Sequence, residues 1–158
     1  MARIEIRPAA AEDVKTVAER MRNADRVEVW AASLSTPRNA LDRAMRQSDR
    51  AWSVTIDGRP EAMFGAAALS ALSGQGTAWM LGTPEIARFP RRMIEDARPM
   101  VAAMLELYPV LINYVDARNA ASLRWLRRLG ARFEPPRPWG ALGLPFVPFV
   151  IERSVAHV

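Results

Sequence analysis

With 158 residues, half of them hydrophobic, the chain has the length of one domain, residues 1-158, able to bury roughly 70% of its unfolded surface. It has no cysteine, which removes disulfides, thiolate catalysis and cysteine-ligated metals, and its one histidine, His157, stands in a tail expected to fray, so neither a zinc site nor a Ser-His triad is expected. The charge of +5 is carried almost wholly by arginine, Lys15 being the sole lysine. A G+C-rich host genome would produce that bias, and so would a basic face for an anion. The arginines are not interleaved with stacking aromatics, which argues against a nucleic-acid module. No apolar run reaches the ~20 residues of a membrane span and no signal-peptide core opens the chain, so a protein of the bacterial cytoplasm is expected.

Ile4 to Arg7 alternates like a half-buried strand, and Pro8 ends it. Glu12 and Asp13 favour the start of a helix whose stripe is Val14, Val17, Ala18 and Met21. Val27, Trp30, Ala31 and Leu34 predict a second, short helix over 23–34. Thr36-Pro37 starts a third, with a hydroxyl cap and a proline where no N–H is needed. Trp52 to Ile56 and Ala62 to Leu69 predict a hairpin turning at Asp57-Gly58, followed by a loop and a central strand at Thr77 to Leu81, with Gly82 a candidate bulge. Met93, Ile94, Ala97, Met100, Val101, Met104 and Leu105 make a helical stripe over 90–108, inside which Pro99 must kink or split the helix.

Val110 to Val115 predicts a strand buried on both faces. Asn119 caps the next helix, Leu123 and Leu126 follow at helical spacing, and Gly130 stops it. Glu134 to Leu144 reads as loop and Pro145 to Glu152 as a last strand, where Pro148 argues for an edge position or a bulge.

The pattern N-x-x-S-L-x-x-L-x-x-L-G-A-x-F from Asn119 to Phe133 resembles the closing half of the GNAT acyltransferase fold, and Ile4 to Asp13 resembles its opening. The resemblance implies an α/β (α+β) fold, a mixed central sheet of six to seven strands flanked by about four helices. In that family a glycine-rich loop after the central strand cradles the coenzyme A pyrophosphate. Here Leu81 and Gly82 are followed by Thr83 to Arg92, which has no glycine and two prolines, so Arg88, Arg91 and Arg92 are the candidate phosphate contacts, with Asn119 beside them. The tyrosine that protonates the departing thiolate in many family members is replaced by Leu126. Glu85, Tyr114 and Asp116 are left as candidate catalytic groups, Glu61 being a further carboxylate near a strand end. Asp25, Glu28 and Trp30 would line a substrate edge or form a polar helix face.

The missing loop, Leu126 and the segments Ala24 to Leu41, Met63 to Gly65 and Tyr114 to Phe133 are together similar to the GNAT-like internal virion proteins of short-tailed bacteriophages. That resemblance implies a phage accessory or virion protein binding other phage structural proteins in particle assembly, in the host cytoplasm and the virion. No cofactor is then required, and a homo-oligomer stays open. The alternative is an acetyl-CoA-dependent N-acetyltransferase with an atypical pyrophosphate loop.

Overall fold

The computed structural model describes residues 1–70 and 72–153, so His157 lies outside the described residues. Strand β1 (Ile4–Pro8) leads through α1 (Ala11–Glu19), α2 (Asn23–Ser33) and α3 (Pro37–Gln47) to β2 (Arg50–Ile56), β3 (Arg59–Ala68) and β4 (Gln75–Gly82). A 3-10 turn (Pro84–Arg88) precedes α4 (Pro90–Leu107). Then follow β5 (Val110–Asp116), α5 (Ala120–Arg128), β6 (Arg132–Phe133), β7 (Arg137–Trp139) and β8 (Leu144–Glu152). The sheet holds eight strands in the order β1-β2-β3-β4-β5-β8-β6, with β7 also on β8. All described pairings are antiparallel except β4 with β5.

Strand alternation sorts the core into two layers. Met63 and Leu81 meet Val14, Val17, Ala18 and Leu41 of α1 and α3 on one face. Phe64 and Leu111 meet Met93 and Met104 of α4 on the other, where Leu123 and Leu126 of α5 also pack. The β1–α1 corner is fixed by Asp13, which accepts from both Arg7 amino groups (2.7 and 2.9 Å), from Ser53 Oγ (2.7 Å) and from the Ala10 N–H (2.9 Å). This is the physical content of an arginine-proline strand end followed by an acidic helix start.

Several expectations are corrected. Gly82 is no bulge: it pairs in register with Ala62, and the register shift lies at Val54/Thr55 of β2. Of the two outcomes expected at Pro99, the split does not occur: α4 runs unbroken from Pro90 to Leu107, and the ring sits on the solvent face, where water can serve the carbonyl it leaves unbonded. The 134–144 segment is not all loop: β7 pairs with β8 around a turn in which Gly140 and Gly143 take positive φ. Pro148 lies on neither an edge nor a bulge, since β8 is bonded on both sides. Its C=O accepts from the Glu134 N–H (3.0 Å). The N–H and C=O of a strand residue point the same way, so the missing donor faces the Glu134 carbonyl just past the end of β6, and the one bond forgone lies where the regular ladder has already stopped.

The β2–β3 ladder has one close approach that only glycine permits. A Cβ on Gly65 would stand 2.5 Å from the Arg50 carbonyl oxygen, a backbone atom that cannot swing aside. Gly65→Ala is therefore expected to cost about 1–3 kcal/mol by overpacking, read as a lower urea midpoint at unchanged slope.

Candidate functional site

Strands β4 and β5 pair only at Gln75↔Val110, Gly76↔Leu111 and Thr77↔Ile112, and beyond that they diverge. Asn113 enters the split and its Nδ2 donates to the Ala78 carbonyl (2.7 Å), while its Oδ1 accepts the Tyr114 N–H (2.8 Å). Ala78 C=O and Gly82 N–H thus face the split. Alternation aims the N–H and C=O of Met80 there as well, and neither meets a partner among the described residues. The split forms the centre of a cleft of about 550 Å³ that passes from the α2/α3 face of the sheet to the α4/α5 face.

The far end of the split is tied by the start of α2. Asp25 Oδ2 accepts the Gly82 N–H (3.0 Å), Glu28 Oε1 accepts the Asp116 N–H (2.7 Å), and the Arg22 N–H donates to the Gly82 carbonyl (2.9 Å). Arg22 Nη2 reaches Asp25 (2.9 Å), Ser122 Oγ (2.6 Å) and Asn119 Oδ1 (3.2 Å), so one arginine joins the end of β4 to the start of α5. One buried donor in this knot, Arg22 Nε, has no hydrogen-bond partner among the described residues.

Of the carboxylates here, Glu28 is the one whose affinity for a proton is raised to about 7. Burial is the main cause. The Asp116 N–H opposes it, Asp25 and Asp116 push the same way as burial, and the Asn119 side chain opposes them weakly. Glu28 lines the cleft beside the split, where a carboxylate half-protonated near neutral pH can take a proton from an amine.

The carboxylates singled out by position are engaged elsewhere. Glu61 is 1% exposed. Burial would raise its proton affinity, but hydrogen bonds from Arg20, Thr83 and Arg59 overcome that and hold it below the usual range. Glu85 pairs with Arg88 (2.8 Å) on the 3-10 turn. Asp116 accepts from the Arg118 N–H, Nε and Nη2 (2.9, 3.0 and 2.7 Å), chiefly through which its proton affinity is lowered, and it serves as a turn brace. Tyr114 does line the cleft, stacked on Trp139 at 4.3 Å with its hydroxyl accepting from Arg137 (2.8 Å). Glu28 was legible as a polar residue on α2. Its rank among the carboxylates was not, because that depends on which of them meets an arginine.

For a coenzyme A thioester, the group this fold implies, the amide-bearing arm fits the split, since Met80 offers a free N–H and C=O there. The pyrophosphate cradle is different. The Gly82 N–H is held by Asp25, the Thr83 N–H by the Glu61 carbonyl (2.8 Å), and Pro84 and Pro90 have none. Leu81 turns its side chain into the α1/α3 layer. Arg88 and Arg92 are paired with Glu85 and Asp96, whereas Arg91 makes no ion pair among the described residues, so a phosphate at the start of α4 would be gripped by side chains. Asn119 caps α5 through the Ser122 N–H (3.3 Å), and its side-chain amide is turned toward Glu28. Further along, Arg127 covers the Phe133 ring and Arg132 pairs with Glu152, so both are tied to the protein itself. No group of three residues suited to a metal occurs among the described residues, and no described helix is long and apolar enough to cross a membrane.

No protein-family model and no curated protein matches the chain. Solved structures do. A GNAT-family acetyltransferase from Bacillus anthracis superposes with a TM-score of 0.70 at 15% identity, covering 95% of this chain and 95% of that one. The ribosomal-protein-S5-alanine acetyltransferase of Vibrio fischeri gives 0.66 at 14% identity over 94% and 92%. The aminoglycoside acetyltransferase AAC(6')-Ib in complex with coenzyme A gives 0.68 at 12% over 96% and 95%. At such identities the likeness establishes the fold, that of the GNAT acetyltransferases. A phage virion role finds no support in these comparisons.

Proposed function

We propose that this protein is an N-acyltransferase that moves an acyl group from a coenzyme A thioester to an amine. The observation that carries the reading is the β4/β5 split, in which the free main-chain amide of Met80 and the Glu28 carboxyl lie on one cleft. The thioester, when bound, supplies an activated acyl carbon. The protein's part is to align the arm along β4 through Met80, to grip phosphate with Arg91, and to free the amine nitrogen by taking its proton on Glu28. The Met80 N–H is also a fixed donor in a largely apolar cleft, where it favours negative charge on an oxygen placed against it. Tyr114, whose ring lines the cleft, offers a hydroxyl for returning a proton.

Thermal unfolding with acetyl-CoA tests the coenzyme. At 100 times its dissociation constant a ligand stabilises by about 2.7 kcal/mol, a clear rise in Tm. Arg91→Ala is expected to weaken binding roughly tenfold, or about 1.4 kcal/mol, without changing the Tm of the free protein. No stabilisation at millimolar acetyl-CoA would sink the proposal.

A further inference from the structure

We infer that the amine accepted on the α2/α3 side has a flat apolar body and also carries an anionic group, the chemistry of an aromatic amino acid rather than of a polyamine; the inference rests on the acyl-transfer reading of the same cleft. On this side the cleft is walled by the rings of Trp79, Tyr114 and Trp139, and the small side chains of Ala32, Ala40 and Ala44 leave room in front of them. The wall is held in place before any ligand arrives. Tyr114 and Trp139 stack at 4.3 Å and 8°, Phe146 backs Trp139 at 5.1 Å, and Trp79 Nε1 donates to Ser48 Oγ (2.7 Å). The turn that carries Trp139 is docked on the end of α2: Ala141 and Leu142 donate their N–H groups to the Ala32 and Ala31 carbonyls (3.0 and 3.2 Å). A rigid aromatic wall selects a flat apolar body.

Charge selects the rest. Two carboxylates line the cleft, Asp25 and Glu28, against three arginines, Arg22, Arg43 and Arg124. Asp25 is consumed by Arg22 and the Gly82 N–H, so Glu28 alone remains for an ammonium. Arg43 touches the Ser35 hydroxyl (2.5 Å) and makes no ion pair among the described residues. A polyamine that put one nitrogen on Glu28 would bring its other cations toward uncompensated arginines, whereas an amine bearing a carboxylate meets Arg43 with the opposite charge.

The test is calorimetric titration of the full chain, without coenzyme, with L-phenylalanine, 2-phenylethylamine and spermidine, repeated on Arg43→Ala. L-phenylalanine is expected to bind at least tenfold more tightly than the other two, and Arg43→Ala to erase its advantage over 2-phenylethylamine while leaving the latter's affinity unchanged. Arg43 is exposed, so the variant folds. Equal binding of spermidine, or an equal loss of both aromatic ligands in Arg43→Ala, overturns the inference. Binding of acetyl-CoA is scored separately by thermal shift: coenzyme binding with no preference for L-phenylalanine defeats only the acceptor assignment, and the preference with no coenzyme binding defeats the acyl-transfer reading beneath it.

Discussion

Glu28→Gln is expected to lower the rate of acyl transfer by roughly 100-fold or more while leaving the fold intact, the usual yield of a positioned general base. The amide oxygen of glutamine can still accept the Asp116 N–H, so the tie between α2 and β5 survives. What is lost is the ability to take a proton. The wild-type rate is expected to rise with pH through about 7, the value to which burial raises Glu28, and the variant to lack that limb. Stability moves in the opposite direction to activity. The folded state holds the Glu28 proton more tightly than the unfolded chain does, so the folded protein gains from Glu28 as pH falls from about 7 toward the ordinary carboxylate range and loses that gain as pH rises through about 7. Glutamine mimics the protonated form, so above neutrality the variant should unfold at the same or a higher denaturant concentration. A variant with wild-type rate and the same pH limb would remove Glu28 from the chemistry.

The second large effect is on stability. Glu61→Ala is expected to cost on the order of 3 kcal/mol, a fall in Tm of roughly 10 °C. Glu61 accepts from Arg20 Nη1 (2.8 and 3.0 Å to its two oxygens), from Arg59 Nε (2.7 Å) and from Thr83 Oγ1 (2.5 Å), and so ties the end of α1 to β3 and to the segment leaving β4. Removing it orphans the buried Thr83 hydroxyl and leaves two arginines without their carboxylate. Both arginines keep some access to water, which holds the cost below that of a fully enclosed pair. Its proton affinity is lowered in the folded state, so its contribution is present above the ordinary carboxylate range and is lost as pH falls through the lower folded value. Urea titrations at neutral and at acid pH should therefore show wild type and variant converging as pH falls. A loss under 1 kcal/mol at neutral pH would mean that the arginines find other partners.

Local sequence determined the parts whose physics is local. The hydroxyl of Thr36 caps α3 through the Asn39 N–H, Asn119 caps α5, Asp57-Gly58 turns the β2–β3 hairpin with positive φ at both residues, and Gly130 ends α5 at φ +93°. Each depends on side chains and backbone a few residues apart, which is why spacing alone predicts it. The stripes of α1 and α4 and the order of the long elements follow from periodicity in the same way, and with them the GNAT fold. Tertiary structure decided what depends on partners far along the chain. Pro148 is tolerated because it faces Glu134, just past the end of β6, where the regular ladder has already stopped. Arg137–Trp139 forms a strand because β8 presents a free edge to it. The β4/β5 split, bridged by Asn113, opens between strands that the 18-residue α4 separates in sequence. Above all, the ranking of the carboxylates was hidden. Glu61, Asp116 and Glu85 are neutralised by arginines, two of them sequence neighbours within three residues and the third drawing also on Arg20 from α1, whereas Glu28 is left near two other acids in a poorly solvated cleft. A side chain's proton affinity is the sum of its burial and its neighbours, and both are properties of the folded chain.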